Sequence, residues 1–157
     1  MKKRSVNKLI FYIVSAEAVG FLSAVFSGGF NDFYLSREKP PLLPPAWVFP
    51  LVWIILYAVM GFSAGLIQNS DSEGYEKKQA LRLYWIQLFV NFLWSIFFFR
   101  FEALTMASVT VIILFILILM MIYLFRKIIP LSGNINIPYL VWTAFATYLT
   151  IYISIQN

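Results

Sequence analysis

The chain has 157 residues, 61% of them hydrophobic and 12% charged, with a net charge of +5 and neither cysteine nor histidine. A soluble domain is near half apolar and a quarter charged, so this composition excludes an ordinary soluble fold. The missing thiols and imidazoles exclude disulfides, thiolate chemistry, the usual zinc sites and histidine-ligated haem, and they remove the commonest general base near neutral pH.

Five apolar spans follow in chain order. The first covers about 9–25 and comes after Lys2, Lys3, Arg4 and Lys8. A basic segment ahead of an apolar run also suits a cleaved leader, with Ser15-Ala16-Glu17-Ala18 as the small-residue site. The run continues to Phe26, longer than a leader needs, so the span is read as retained. The second span, about 46–67, closes on the polar turn from Gln68 to Gly74. The third, about 83–99, lies between Arg82 and Arg100 and is short enough that little tilt is expected. The fourth, 103–125, runs twenty-three residues without a charge, enough to cross about 30 Å of hydrocarbon as a helix. The fifth, about 137–155, follows Pro130-Leu131-Ser132-Gly133-Asn134. The predicted fold is an all-α membrane protein, one five-helix transmembrane domain over residues 1–157.

Five antiparallel spans place the N-terminus and the second and fourth loops on one side. Lys2, Lys3, Arg4, Lys8, Lys77, Lys78, Arg82, Arg126 and Lys127 lie there, against Arg37, Lys39 and Arg100 opposite. This asymmetry predicts a multi-pass cell-membrane protein with its N-terminus in the cytoplasm and its C-terminus outside. The charge sits at span edges, and no basic run interleaves with aromatics on a polar surface, so lipid rather than nucleic acid is the expected surroundings.

The connector 27–45 is much the longest. Phe30, Phe33, Tyr34 and Leu35 give it apolar surface, and Pro40, Pro41, Pro44 and Pro45 stiffen it. It reads as a packed lid; a surface loop with incidental aromatics is the plainer alternative. Below it, Trp53 and Tyr57 share a helix face, which suits a pocket wall, ordinary packing or an interfacial belt. Gln87, Asn91, Trp94 and Phe98 recur at four, three and four residues. Amides in hydrocarbon must face protein, water or ligand, so Asn91 contacts either a ligand or a neighbouring helix. Tyr139, Trp142, Ala146 and Leu149 form a third stripe, in which Ala146 leaves space for a flat ligand or for a close helix. Ala16, Gly20, Ala24 and Gly28, with Gly61 and Gly65, make small-residue ridges for helix approach. Glu17 lies two turns inside the first span, where a carboxylate is either functional or neutral and hydrogen-bonded. The three stripes under a lid predict a large, flat, apolar ligand, whose acidic groups Arg37 and Lys39 would meet.

These residues, in this order and spacing, resemble the translocator protein family, also called tryptophan-rich sensory proteins or peripheral benzodiazepine receptors. The resemblance spans nearly the whole chain. It rests on Phe33-Tyr34, Lys39-Pro40, Pro44-Pro45, Trp47-Val48-Phe49-Pro50, Trp53 and Tyr57. It continues through Gln87-Leu88, Asn91, Trp94 and Phe97-Phe98-Phe99 to Pro138-Tyr139-Leu140-Val141-Trp142-Thr143-Ala144-Phe145-Ala146-Thr147 and Leu149. It implies a five-helix membrane protein, commonly a homodimer, that binds porphyrins such as protoporphyrin IX and other flat apolar molecules. Implied ligand contacts are Tyr34, Trp53, Tyr57, Asn91, Trp94, Trp142, Ala146 and Leu149. Some bacterial members degrade protoporphyrin under light, and Trp53 and Trp142 would then be the relays. No resident cofactor or metal is implied. Pro41 and Leu42 stand where the family usually carries tryptophan, and Phe33 stands where a tryptophan usually precedes the tyrosine. Tyr152 has no basic residue after it, so the animal proteins' sterol-recognition pattern is not met.

Porphyrin binding as sensor, scavenger or carrier is therefore the expected function. The alternative is a small proton-coupled exporter of apolar cations using Glu17. Small multidrug exporters also carry a glutamate in their first span, but they have four spans and lack this connector. A purely structural subunit would explain the helices but not three co-facial aromatic stripes.

Overall fold

The computed structural model describes residues 5–28, 35–72 and 74–157, and among these it contains helices and no strand. The helices are α1 (Val6–Ser27), α2 (Val48–Gln68), α3 (Tyr75–Ser95), α4 (Leu104–Ile128), α5 (Pro130–Asn134) and α6 (Ile137–Gln156). A π-helical turn, Ile96–Arg100, prolongs α3, and α5 leads directly into α6. Five segments, Val6–Ser27, Val48–Gln68, Tyr75–Arg100, Leu104–Ile128 and Pro130–Gln156, are long and apolar enough to cross a bilayer. The third is two turns longer than the charge-free run predicts. Its first turns carry Glu76, Lys77, Lys78 and Arg82, a pattern that ends an apolar span without ending a helix.

Glycine fixes how α1 meets α2. A Cβ at Gly61 would lie 2.5 Å from the Ile13 Cα and the Tyr12 carbonyl oxygen, and one at Gly65 would lie 3.0 Å from the Leu9 Cα. The two backbones therefore touch, as small residues permit between membrane helices. At the same end the Ser5 N–H donates to Asn69 Oδ1 (3.2 Å), while Asn69 Nδ2 donates to the Ser5 carbonyl (3.0 Å). Gly28, at φ 77°, closes α1 in the left-handed conformation that glycine adopts without cost. Gly133 does similar packing work at α5, where a side chain would strike Arg126 and the Ile122 carbonyl of α4. Ser132 Oγ then donates to the Ser63 carbonyl (2.8 Å) and ties α5 to α2.

Around these contacts α3 packs on α4, and α4 packs on α6. Leu114, Ile118, Met121 and Phe125 of α4 are fully buried in the main apolar cluster. Hydroxyls inside α6 bond to their own helix: Thr143, Thr147 and Thr150 donate to the carbonyls four residues back at 2.8–2.9 Å. The outward faces keep large apolar side chains exposed, Phe21, Ile54, Ile116 and Val141 among them. Such a surface suits lipid and would be a liability in water.

Candidate functional site

The backbones of α2 and α6 barely approach each other. Large rings fill part of the gap, and the rest is a cavity of about 550 Å³ bounded by α1, α2, the end of α3 and α6. The wall begins on α2, where Phe49, Trp53 and Tyr57 follow one another at helix-face spacing and all line the cavity. Trp53 lies 5.7 Å from Tyr57 and 6.1 Å from Trp94, ring centre to ring centre. Trp94 stacks on Phe98 at 5.9 Å, and Phe49 meets Trp142 edge-on at 5.5 Å. Together these rings give the cavity flat, apolar walls of the kind that hold aromatic ligands.

Trp53, Tyr57, Trp94, Trp142, Ala146 and Leu149 all line this cavity. Trp94 is held by its indole N–H, which donates to Thr150 Oγ1 at 3.2 Å. Ala146 is among the lining residues and is also buried in the cluster with Ala107 and Val111 of α4. Tyr34 lies outside the described residues. Asn91 is buried one layer behind the wall and is not among the lining residues. Its Nδ2 donates to the Tyr139 hydroxyl (3.2 Å), which donates in turn to Gln87 Oε1 (2.7 Å). Asn91, Gln87 and Tyr139 thus form an interhelical network joining α3 to α6, with Trp53 packed edge-on against Tyr139 at 6.4 Å.

The lining includes further residues: Glu17, which the sequence marks as a functional candidate, and several that the aromatic stripes do not name as ligand contacts. Phe49 sits four residues before Trp53, and the same spacing rule that pairs Trp53 with Tyr57 reaches it. Phe145 and Phe99 join from α6 and the π turn. On α1 the lining comprises Glu17, Gly20, Phe21, Ser23, Ala24 and Ser27, so the small-residue ridge serves the cavity as well as helix approach. A Cβ at Gly20 would lie 2.5 Å from Tyr57 Cδ2, which shows how closely that ring rests on α1.

The described part of the 27–45 connector lies at the end of the bundle marked by Phe49 and Ile153. Leu43 packs on the cluster containing Phe49, Trp94, Ala146 and Leu149. Pro40 is buried, and the Glu38 N–H donates to Asn157 Oδ1 at the end of α6 (3.4 Å). Among the described residues no group of three or more acids, histidines or cysteines is placed to hold a metal ion.

The sequence profile of the TspO/MBR family matches residues 12–156. The chain is 30% identical over 142 residues to "Protein CrtK" of Rhodobacter capsulatus, covering 90% of this chain and 88% of that one. It is 32% identical over 133 residues to "Tryptophan-rich protein TspO" of Chlorobaculum tepidum, covering 84% of each. It is 31% identical over 144 residues to the "Translocator protein" of Ovis aries, covering 84% of this chain and 85% of the sheep protein. A profile match along nearly the whole chain, with relatives matched over most of their own length, makes this multi-pass membrane protein a member of the TspO/MBR family.

Proposed function

We propose that the chain binds porphyrins, protoporphyrin IX-like molecules above all, and other flat apolar molecules in the cavity between α1, α2, α3 and α6, acting as a sensor, scavenger or carrier. One observation carries this: a cavity of about 550 Å³ walled by Trp53, Tyr57, Trp94 and Trp142. Its volume falls within the range of small-molecule sites, and its walls are the flat faces such ligands stack on. The matched names, a tryptophan-rich protein and a translocator protein, agree with a small-molecule role. In this reading the described part of the connector closes the outer end, and Asn91 supports the wall through Tyr139. The N-terminus is cytoplasmic, and two copies pair as a homodimer in the membrane.

Titration of purified protein with protoporphyrin in the dark tests this directly. Saturable quenching of tryptophan fluorescence is expected, and Trp53→Ala combined with Trp142→Ala should weaken it. Unchanged affinity in the double variant would refute the placement. Illuminating the complex then separates a pure binder from a protein that degrades porphyrin through Trp53 and Trp142.

A further inference from the structure

Glu17 is the one carboxylate among the cavity-lining residues, and that lining contains no lysine or arginine among the described residues. It lies three residues before Gly20, the position that lets the Tyr57 ring rest on α1. Tyr57, on α2, lines the cavity with it and rests on α1 at Gly20. The run of rings from Tyr57 through Trp53 to Trp94 therefore starts beside it. A carboxyl group that only tied α1 to α2 would be enclosed between the helices. This one is half-buried and forms part of the cavity wall.

We propose that Glu17 makes the cavity selective for flat aromatic cations over neutral molecules of the same shape. The inference rests on the reading that the cavity binds flat ligands, and it adds the charge they carry. A carboxylate away from water is costly unless paired, and a bound cation supplies the pairing that the lining lacks. The same cation lies against aromatic faces, whose quadrupoles attract positive charge. A neutral isostere gains the stacking and apolar burial alone. Protoporphyrin, whose ring is uncharged, gains the stacking alone, and its carboxylates lie away from Glu17, toward the connector end.

The test uses two probes of one shape, an acridinium methylated at its ring nitrogen and the uncharged methylanthracene, titrated into the full chain in detergent by tryptophan quenching. The wild type should bind the cation more than about tenfold more tightly, the combined effect of an ion pair with Glu17 and of the aromatic faces. In Glu17→Gln that ratio should fall about tenfold, to what the aromatic faces alone give, and in Glu17→Asp it should persist. Taking a ratio cancels any general loosening of the cavity, and Glu17→Met serves if the amide variant does not fold. Equal wild-type affinities, or a preference undiminished in Glu17→Gln, would overturn the proposal. If methylanthracene and protoporphyrin bind but the cation has no advantage, only the charge preference fails. If none of the three quenches, the cavity-binding reading fails with it.

Discussion

Replacing Gly61 by alanine places a methyl group 2.5 Å from the Ile13 Cα and the Tyr12 carbonyl oxygen, and 2.8 Å from the Ile13 nitrogen. Ordinary carbon contacts lie at about 3.5–4.0 Å, so α1 and α2 must part by about 1 Å to admit it. The atoms in the way are backbone, and no rotamer change relieves them. Overpacking of this kind costs about 1–3 kcal/mol. The separation also stretches contacts at the same end, the Ser5–Asn69 pair and the Tyr12 hydroxyl bond to Gln68 Oε1 (3.3 Å). Thermal unfolding in detergent, followed by tryptophan fluorescence, should show Tm lowered by roughly 2–12 °C, scaling the cost as for a domain of this size. A wild-type Tm in Gly61→Ala would refute the backbone contact on which the packing of α1 depends.

Gly20→Ala meets a ring instead of backbone, 2.5 Å from Tyr57 Cδ2. Tyr57 can swing, so Tm should fall less than in Gly61→Ala while the displaced ring lowers porphyrin affinity in the quenching titration; wild-type affinity would mean the ring moves away from the cavity. Ala146→Leu adds methylenes to the cavity wall at about 1–3 kcal/mol, a five- to hundredfold loss of porphyrin affinity, and equal binding would mean the ligand lies elsewhere. Tyr139→Phe removes the hydroxyl shared by Gln87 and Asn91. Interhelical hydrogen bonds in membranes are worth about 0.6–1.7 kcal/mol, so losing two should cost about 1–3 kcal/mol. Tm should drop while porphyrin affinity stays within about twofold, because Tyr139 stands behind the wall; a large affinity loss would move the network into the binding site.

The five membrane-crossing helices were legible because charge is expensive in hydrocarbon, and uncharged runs therefore mark them. The same signal does not mark where α3 starts, since Tyr75–Arg82 continues the helix beyond the apolar run. Side-chain spacing found the faces but not their partners. The period through Gln87, Asn91 and Trp94 put all three on one side of α3, yet Trp94 reaches the cavity while Gln87 and Asn91 bond to Tyr139. Tyr139 and Trp142 likewise share a stripe and then divide between network and cavity. Which way each turns depends on helices remote in sequence, and one-dimensional periodicity carries no such term. The π turn at Ile96–Arg100 was equally invisible. It adds a residue to one turn of a phenylalanine-rich stretch that reads as ordinary helix.

The backbone contact of α1 with α2 lies at one end, where Gly61, Gly65 and the Ser5–Asn69 pair hold the helices together. Farther along, the Tyr57 ring rests on Gly20, and past it both helices line the cavity. The far end of α1 is held as well, by packing on the π turn and by Phe26, which meets Phe92 edge-on at 6.2 Å. Beyond Tyr57, α1 offers the small side chains Ser23, Ala24 and Ser27 to the cavity, so short side chains rather than rings bound the space there. The walls on α2, α3 and α6 are braced by stacked rings and by the Gln87–Tyr139–Asn91 bonds. The cavity thus has two unlike walls at that end: rings on α2, α3 and α6 fix its outline, and the small residues of α1 leave it its depth.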